Sequence, residues 1–127
     1  MTGRLGATDV AHDVARTVRA TVQAQRPDAL VIGEHNHDAS SDLDGDGWHG
    51  TMNYSGFSWP VWSWLRYEAS PARAFGRPLP VPRRGGALVA RTMREWTARH
   101  GWRATTWSWN ILGSHDSARI RTLTGSG

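Results

Sequence analysis

The chain contains no cysteine and no lysine. The first absence excludes a disulfide framework, a thiolate zinc site and a thiol nucleophile. The second leaves all 15 basic side chains as arginine. No apolar run is long enough to cross a bilayer. Met1-Thr2-Gly3-Arg4 leads into polar residues, unlike the start of a signal peptide. Repeats and low-complexity tracts are also missing, and nothing in the composition speaks for a compartment. Acidic residues number 11, so the net charge is +4 and a nucleic-acid partner has to be weighed. The arginines run from Arg4 to Arg121 without clustering, and the densest pair, Arg83-Arg84, sits among prolines and glycines. The expectation is therefore no nucleic-acid partner and no membrane partner.

The sequence has 127 residues, the size of one small domain or of part of a larger one. Tryptophan is the outlier, with eight residues at positions 48, 59, 62, 64, 96, 102, 107 and 109. Such rings either fill a core and its grooves or stack on flat apolar faces such as sugars and bases.

Residues 9–25 place Val10, Val14, Val18 and Val22 at intervals of four, which predicts a helix with these valines on one face. Pro27-Asp28 stops it. Residues 29–33, ALVIG, read as a short strand buried on both faces, ending at Glu34. Residues 35–50 are a polar loop, and TMNYSGF (51–57) reads as another short strand. WPVWSWLRY (59–67) starts a helix with Pro60 in its first turn. Residues 70–86 read as an irregular loop. Residues 86–100 form a second helix whose inner face is Leu88, Val89, Thr92, Met93, Trp96 and His100, ended by Gly101. TTWSWNIL (105–112) reads as a strand, and a helical or loop segment follows from Ser117. Helices alternating with short buried strands predict an α/β fold with a parallel sheet.

In such a sheet the strand C-termini share one face, where active sites form. Glu34 closes one strand and Asp116 follows another, so the topology can bring two carboxyls to one cleft. Paired carboxyls suit acid/base work on an acetal: one donates a proton to the leaving oxygen, and another stays ionised and steadies positive charge on the sugar ring. The bland readings are a solvated acid at Glu34 and an N-cap at Asp116 for a helix starting near Ser117. His115 and His35 are open between substrate contacts and satisfied, partly buried rings. HNH at 35–37 has the look of a metal cluster but lacks a third ligand and the ββα surroundings of the nuclease motif that shares its letters.

Residues 42–53, DLDGDGWHGTMN, match the front half of an EF-hand calcium loop: Asp42, Asp44 and Asp46 stand at positions 1, 3 and 5, with Gly47 at 6. Position 12 is Asn53 instead of a bidentate glutamate, and ALVIG does not supply the flanking helix. The alternative is a glycine-punctuated loop with Asx turns. The expectation is no cofactor and no metal site, with calcium left open at Asp42–Gly47 as a prop for the loop.

VIGEHNHDASSDLDGDGWHGTMNYSGF together with NILGSHDSARIRTL resembles glycoside hydrolase family 13, the α-amylase family. The resemblance covers most of the chain and is weakest over 68–86. It implies a partial (β/α)8 TIM barrel, about strands 5 to 7 with the preceding fourth helix, so that 1–127 is a fragment of a single catalytic barrel. The helix at 9–25 would be the fourth, MNY (52–54) the sixth strand, and the helix at 86–100 the sixth. The resemblance implies that Glu34 is the acid/base, that Asp116 steadies the transition state and that His115 contacts sugar hydroxyls. His35, Trp48, Asn53 and Tyr54 would line the substrate groove. The partners would be an α-linked oligo- or polysaccharide and the missing parts of the barrel.

The departure from the family is the nucleophile, an aspartate ending the fourth strand, which falls before the segment MTGRLG and so before Met1. The fragment alone is expected to be inactive, because retaining chemistry needs that carboxylate about 5–5.5 Å from the acid. The resemblance leaves open which α-glucoside is used, and hydrolysis versus transfer. Two other readings are carried forward: a non-catalytic sugar-binding piece relying on tryptophan stacking, and a calcium-loop module.

Overall fold

The computed structural model describes residues 7–68, 70–79 and 82–125. The opening segment MTGRLG (1–6) lies outside them. In chain order the elements are α1 (Ala7–Gln25), β1 (Ile32–Gly33), β2 (Gly50–Thr51), α2 (Trp59–Leu65), β3 (Arg73–Ala74), β4 (Arg77–Pro78), α3 (Gly86–His100), α4 (Trp102–Trp107) and α5 (Ile120–Thr124). Among the described residues no helix is long and apolar enough to cross a membrane. The chain divides into two compact units, Met1–Met52 with Arg99–Trp109, and Asn53–Ala98 with Asn110–Gly127.

In the first unit, β1 and β2 pair in parallel, Ile32 opposite Gly50 and Gly33 opposite Thr51. Trp109 extends the parallel pairing by bridging to Met52, and its amide donates to the Thr51 carbonyl at 2.9 Å. The expected parallel arrangement is therefore present, built from very short segments. ALVIG is less buried than its apolar run suggests: Leu30 is exposed and Ile32 half-buried. Gly50 is required by a close approach, since a Cβ there would stand 2.7 Å from the Ser108 nitrogen.

One reading is corrected in this unit. Residues 105–107 are not strand; they complete α4, and only Trp109 pairs. Gly101, at φ 78°, ends α3 as expected and lets the chain enter α4 at once. The valine stripe of α1 lies on its more exposed face. Val10 and Val14 are about half exposed, whereas Ala15 is fully buried and His12 and Arg19 are half-buried beside it. The covered side of α1 is thus built around an alanine and long polar side chains that hold the 42–47 loop.

The second unit opens with a wide turn, Tyr54–Ser58, running directly into α2 with Pro60 in its first turn. TMNYSGF is therefore extended only through Met52. Tyr54 and Trp62 are fully buried and form an aromatic cluster with Trp59 and Phe75, ring centroids 5.0–6.2 Å apart. Within 70–86, the expected irregular loop contains an antiparallel hairpin, β3–β4, turning at Phe75-Gly76. Both turn residues have positive φ, 52° and 72°, as a two-residue hairpin matched to strand twist demands. On α3, Val89 is buried and Leu88 exposed, so the inner face is narrower than the sequence pattern implied.

Candidate active-site residues

Glu34 is the first residue after β1 and its side chain is exposed, with no hydrogen-bond or ion-pair partner among the described residues. The carboxylate is free to meet a ligand. Next to it, the His35 ring is mostly buried, with Nδ1 3.3 Å from His37 Nε2 and Nε2 3.6 Å from Asp42 Oδ2. Burial and the neighbouring His37 lower its pKa below the ordinary value, against the pull of Asp42. His35 thus favours the neutral ring.

In the second unit His115 and Asp116 occupy a tight turn. The Ser117 amide donates to the Ser114 carbonyl, and the Asp116 amide donates to Ser114 Oγ at 3.1 Å. The Asp116 carbonyl accepts from the Phe75 amide at 2.6 Å, and Ser117 bridges to Ala74. Asp116 is therefore set by the β3–β4 hairpin. It does not cap a helix: α5 begins at Ile120 with Arg119 in the cap position. Its side chain is partly exposed, and Oδ2 lies 3.4 Å from the Nε2 of the almost fully exposed His115 ring.

Asn53 and Tyr54, both expected to line a groove, carry structural hydrogen bonds. Asn53 is buried with both ends of its amide engaged: Oδ1 accepts from the Gly56 amide at 3.0 Å, and Nδ2 donates to Asn110 Oδ1 at 2.8 Å. The Tyr54 hydroxyl donates to Ser114 Oγ at 2.8 Å. Ser58 Oγ and Trp62 Nε1 donate to the carbonyls of Ile111 and Leu112 at 2.7 and 2.9 Å. Side chains thus pin residues 110–114 where a strand ladder was expected, and they position the turn that carries Asp116. Trp48 is half-buried against Ala39, Leu43 and Ala104 in the first unit.

The 42–47 loop departs from an EF-hand. A single 3₁₀ turn, Ser40–Asp42, precedes it and β2 follows shortly after. Asp42 is buried, and its Oδ1 lies 3.4 Å from His12 Nδ1. Asp44 and Asp46 approach the opposite edge of the same ring, at 3.7 and 3.2 Å from Nε2. The three carboxylates therefore flank an imidazole and do not converge on one point. Arg16 Nε pairs with Asp46 at 2.6 Å, raising the arginine pKa and lowering that of the carboxyl through the shared hydrogen bond. Arg19 donates to the carbonyls of Gly45 and Gly47 at 2.8 and 3.0 Å. A cavity of about 300 Å³ in this unit is lined by Arg19, Leu43, Trp48, His49, Trp102 and Trp107.

Sequence reasoning missed Ser114, the hairpin and His12. The Phe-Gly dipeptide was the available turn signal for the hairpin. His12 had none, because its partners lie about 30 residues away in sequence.

No protein-family model matches the chain. It is 31% identical over 116 residues to a cyclomaltodextrinase of a Bacillus species, covering 91% of this chain and 18% of that protein. It is 32% identical over 119 residues to neopullulanase 2 of Thermoactinomyces vulgaris, covering 94% of this chain and 18% of that protein. The chain thus spans under a fifth of the length of these curated relatives, which are amylolytic glycoside hydrolases of the α-amylase family. Among solved structures, a debranching enzyme from Nostoc punctiforme superimposes with a TM-score of 0.78 at 27% identity, over 89% of this chain and 24% of that one. A cyclic α-maltosyl-(1→6)-maltose hydrolase from Arthrobacter globiformis shares the fold with a TM-score of 0.67 at 20% identity.

Proposed function

We propose that the chain is part of an α-amylase-family glycoside hydrolase, contributing strands five to seven and the fourth helix of a (β/α)8 barrel. The observation that carries this reading is order along the chain. Parallel segments β1, β2 and Trp109 follow one another, with Glu34 directly after the first and His115-Asp116 after the third. The likeness to the Nostoc debranching enzyme supports it.

In this reading Glu34 acts first as general acid, giving a proton to the leaving glycosidic oxygen, and then as general base for water or a sugar acceptor. Its exposure and lack of a protein partner leave it free for both roles. Asp116 stabilises the oxocarbenium-like transition state by charge, and His115 orients sugar hydroxyls. Asn53 and Tyr54 act through residues 110–114 and hold this turn in place. The substrate is an α-glucoside, and hydrolysis and transfer share the same first step. The nucleophile lies outside residues 1–127, so the isolated chain is inactive.

Assays of the purified chain on maltooligosaccharides, cyclodextrin and pullulan test this, with no turnover as the expected result. Turnover that persists unchanged in Glu34→Gln would sink the assignment of Glu34.

The tryptophan-lined cavity of the first unit favours a second reading, a sugar-binding piece without catalysis. Three indoles beside Arg19 and His49 combine apolar faces with polar edges, as small-molecule sites do. It predicts saturable quenching of tryptophan fluorescence by maltooligosaccharides that survives Glu34→Gln and is lost in Trp102→Ala.

A further inference from the structure

We propose that His12, Asp44 and Asp46 bind a divalent transition-metal ion of the zinc type where α1 meets the 42–47 loop. His12 Nε2 lies 3.2 Å from Asp46 Oδ1 and 3.7 Å from Asp44 Oδ2. One donor atom from each residue falls within 4.8 Å of the others. Ligands held tetrahedrally at about 2.0–2.2 Å from zinc stand about 3.3–3.6 Å apart. The two distances from His12 bracket that range, and water completes the fourth position.

Carboxylates at the surface carry no such inference alone. Here an imidazole enters from a different element, and a second observation stands behind it. The Asp42 side chain is 7% exposed and lies between two imidazoles, hydrogen-bonded to that of His12. Its Oδ1 faces His12 Nδ1 at 3.4 Å, while Oδ2 is 3.6 Å from His35 Nε2, beyond a hydrogen bond. A carboxylate behind Nδ1–H fixes the tautomer in which Nε2 presents a lone pair, which is how metal-bound histidines are oriented. Arg16 occupies Asp46 Oδ2 and leaves Oδ1 for the ion.

The donor set separates this site from the calcium loop suggested by the sequence. Calcium takes six to eight oxygens, whereas one nitrogen with two carboxylates suits zinc and its neighbours in the first transition row. Asp42, the first residue of the expected calcium loop, becomes a positioning residue behind His12. The inference goes beyond the glycosidase reading and does not depend on it.

A doubly protonated His12 bridging three carboxylates is the competing account, and metal titration separates the two. The chelator-treated 127-residue chain is titrated with zinc chloride and, separately, with calcium chloride by calorimetry. Saturable binding of one zinc is expected, with weaker or no calcium binding. His12→Gln and Asp44→Asn should each weaken zinc binding at least about tenfold, as should Asp42→Asn, given the usual effect of a supporting carboxylate. His37→Gln should leave it unchanged. Circular dichroism checks that each variant folds. Should His12→Gln unfold, zinc-dependent slowing of amide exchange across 42–47 in the unaltered chain replaces that arm. Absence of saturable zinc binding overturns the proposal. So does zinc binding untouched by His12→Gln in a folded variant, zinc without effect on exchange at 42–47, or calcium bound in preference to zinc.

Discussion

In the second unit, the turn bearing His115 and Asp116 is pinned from below by neutral groups out of water: Tyr54, Ser58 and Trp62 donate to Ser114, Ile111 and Leu112. In the first unit, the loop following Glu34 is pinned by charged and titratable groups on α1: Arg16 and Arg19 hold Asp46 and the Gly45 and Gly47 carbonyls near the surface, and His12 meets the buried Asp42. Both arrangements hold an irregular segment in place, but by different physics. Hydrogen bonds between neutral groups, donated from buried side chains, respond little to salt and are costly to break. Exposed ion pairs contribute little each and are screened. One candidate acid thus stands beside a segment that pH and ionic strength can loosen, and the other on one that they leave alone.

The largest expected effect comes from Trp62→Ala, which empties the centre of the aromatic cluster and removes the bond to Leu112. It should cost about 3–5 kcal/mol by analogy with other buried aromatic truncations. Chemical denaturation checks the size, and amide exchange at 110–118 should accelerate well before exchange at 31–33. A uniform acceleration across both units would erase the contrast.

Tyr54→Phe is the narrower cut. It keeps the buried ring and deletes only the hydroxyl that donates to Ser114, so about 1–2 kcal/mol is expected. The measurement is the same denaturation midpoint, and no loss would show that the hydroxyl does not hold the turn.

The smallest effect, and the one that most sharpens the comparison, is the response to acid. Burial lowers the pKa of His35, His49 and His100 below 6.5, all three in the first unit. Their neutral forms are favoured in the folded state, so below 6.5 the unfolded chain binds more protons than the folded one. The stability they contribute is fully present above pH 6.5 and is lost as pH falls below it. The sole histidine of the second unit is the exposed His115. Exchange protection at the first unit's amides should therefore weaken between about pH 7 and pH 5, while the second unit's changes little. His35→Gln should shallow that slope, and an equal slope in both units would end the distinction. A separate acid limb belongs to Asp38. Burial opposes its ionisation, but Ser40 and Arg99 together bring its pKa down from 3.8 to about 2. Its contribution is present above 3.8 and disappears as pH falls toward 2.

Periodic features were legible. The spacing of valines and the run from Gly86 to His100 located α1 and α3, Pro60 marked the first turn of α2, and strand alternation with helices anticipated the parallel pairing of β1, β2 and Trp109. Glu34 could be placed at a strand end by the same reasoning. What stayed hidden depended on contacts across the chain. Residues 105–107 belong to a short apolar run that suits helix or strand equally. Gly101 and the preceding helix decide in favour of α4. The valine stripe of α1 marks an apolar face, but periodicity does not reveal which face this chain covers, and Ala15 with His12 lies on the covered one. The turn holding Asp116 depends on Phe75, and the loop holding Asp42 on His12. Neither dependence leaves a local mark.

Phe75 is a non-glycine residue with φ of 52°, held there while its ring packs edge-on against Tyr54 and its amide holds the Asp116 carbonyl. A proline- and glycine-rich stretch such as 70–86 looks like the natural place to accept an inserted peptide or a change of length. For residues 73–78 the opposite follows. Adding or deleting one residue there would shift the register of the hairpin and move a carboxylate about 40 positions downstream. Tolerance to insertion should begin only near Arg83, where the residues are exposed and carry no attachment to Asp116, ahead of the Arg84 amide that donates to the Ser63 carbonyl at 2.7 Å.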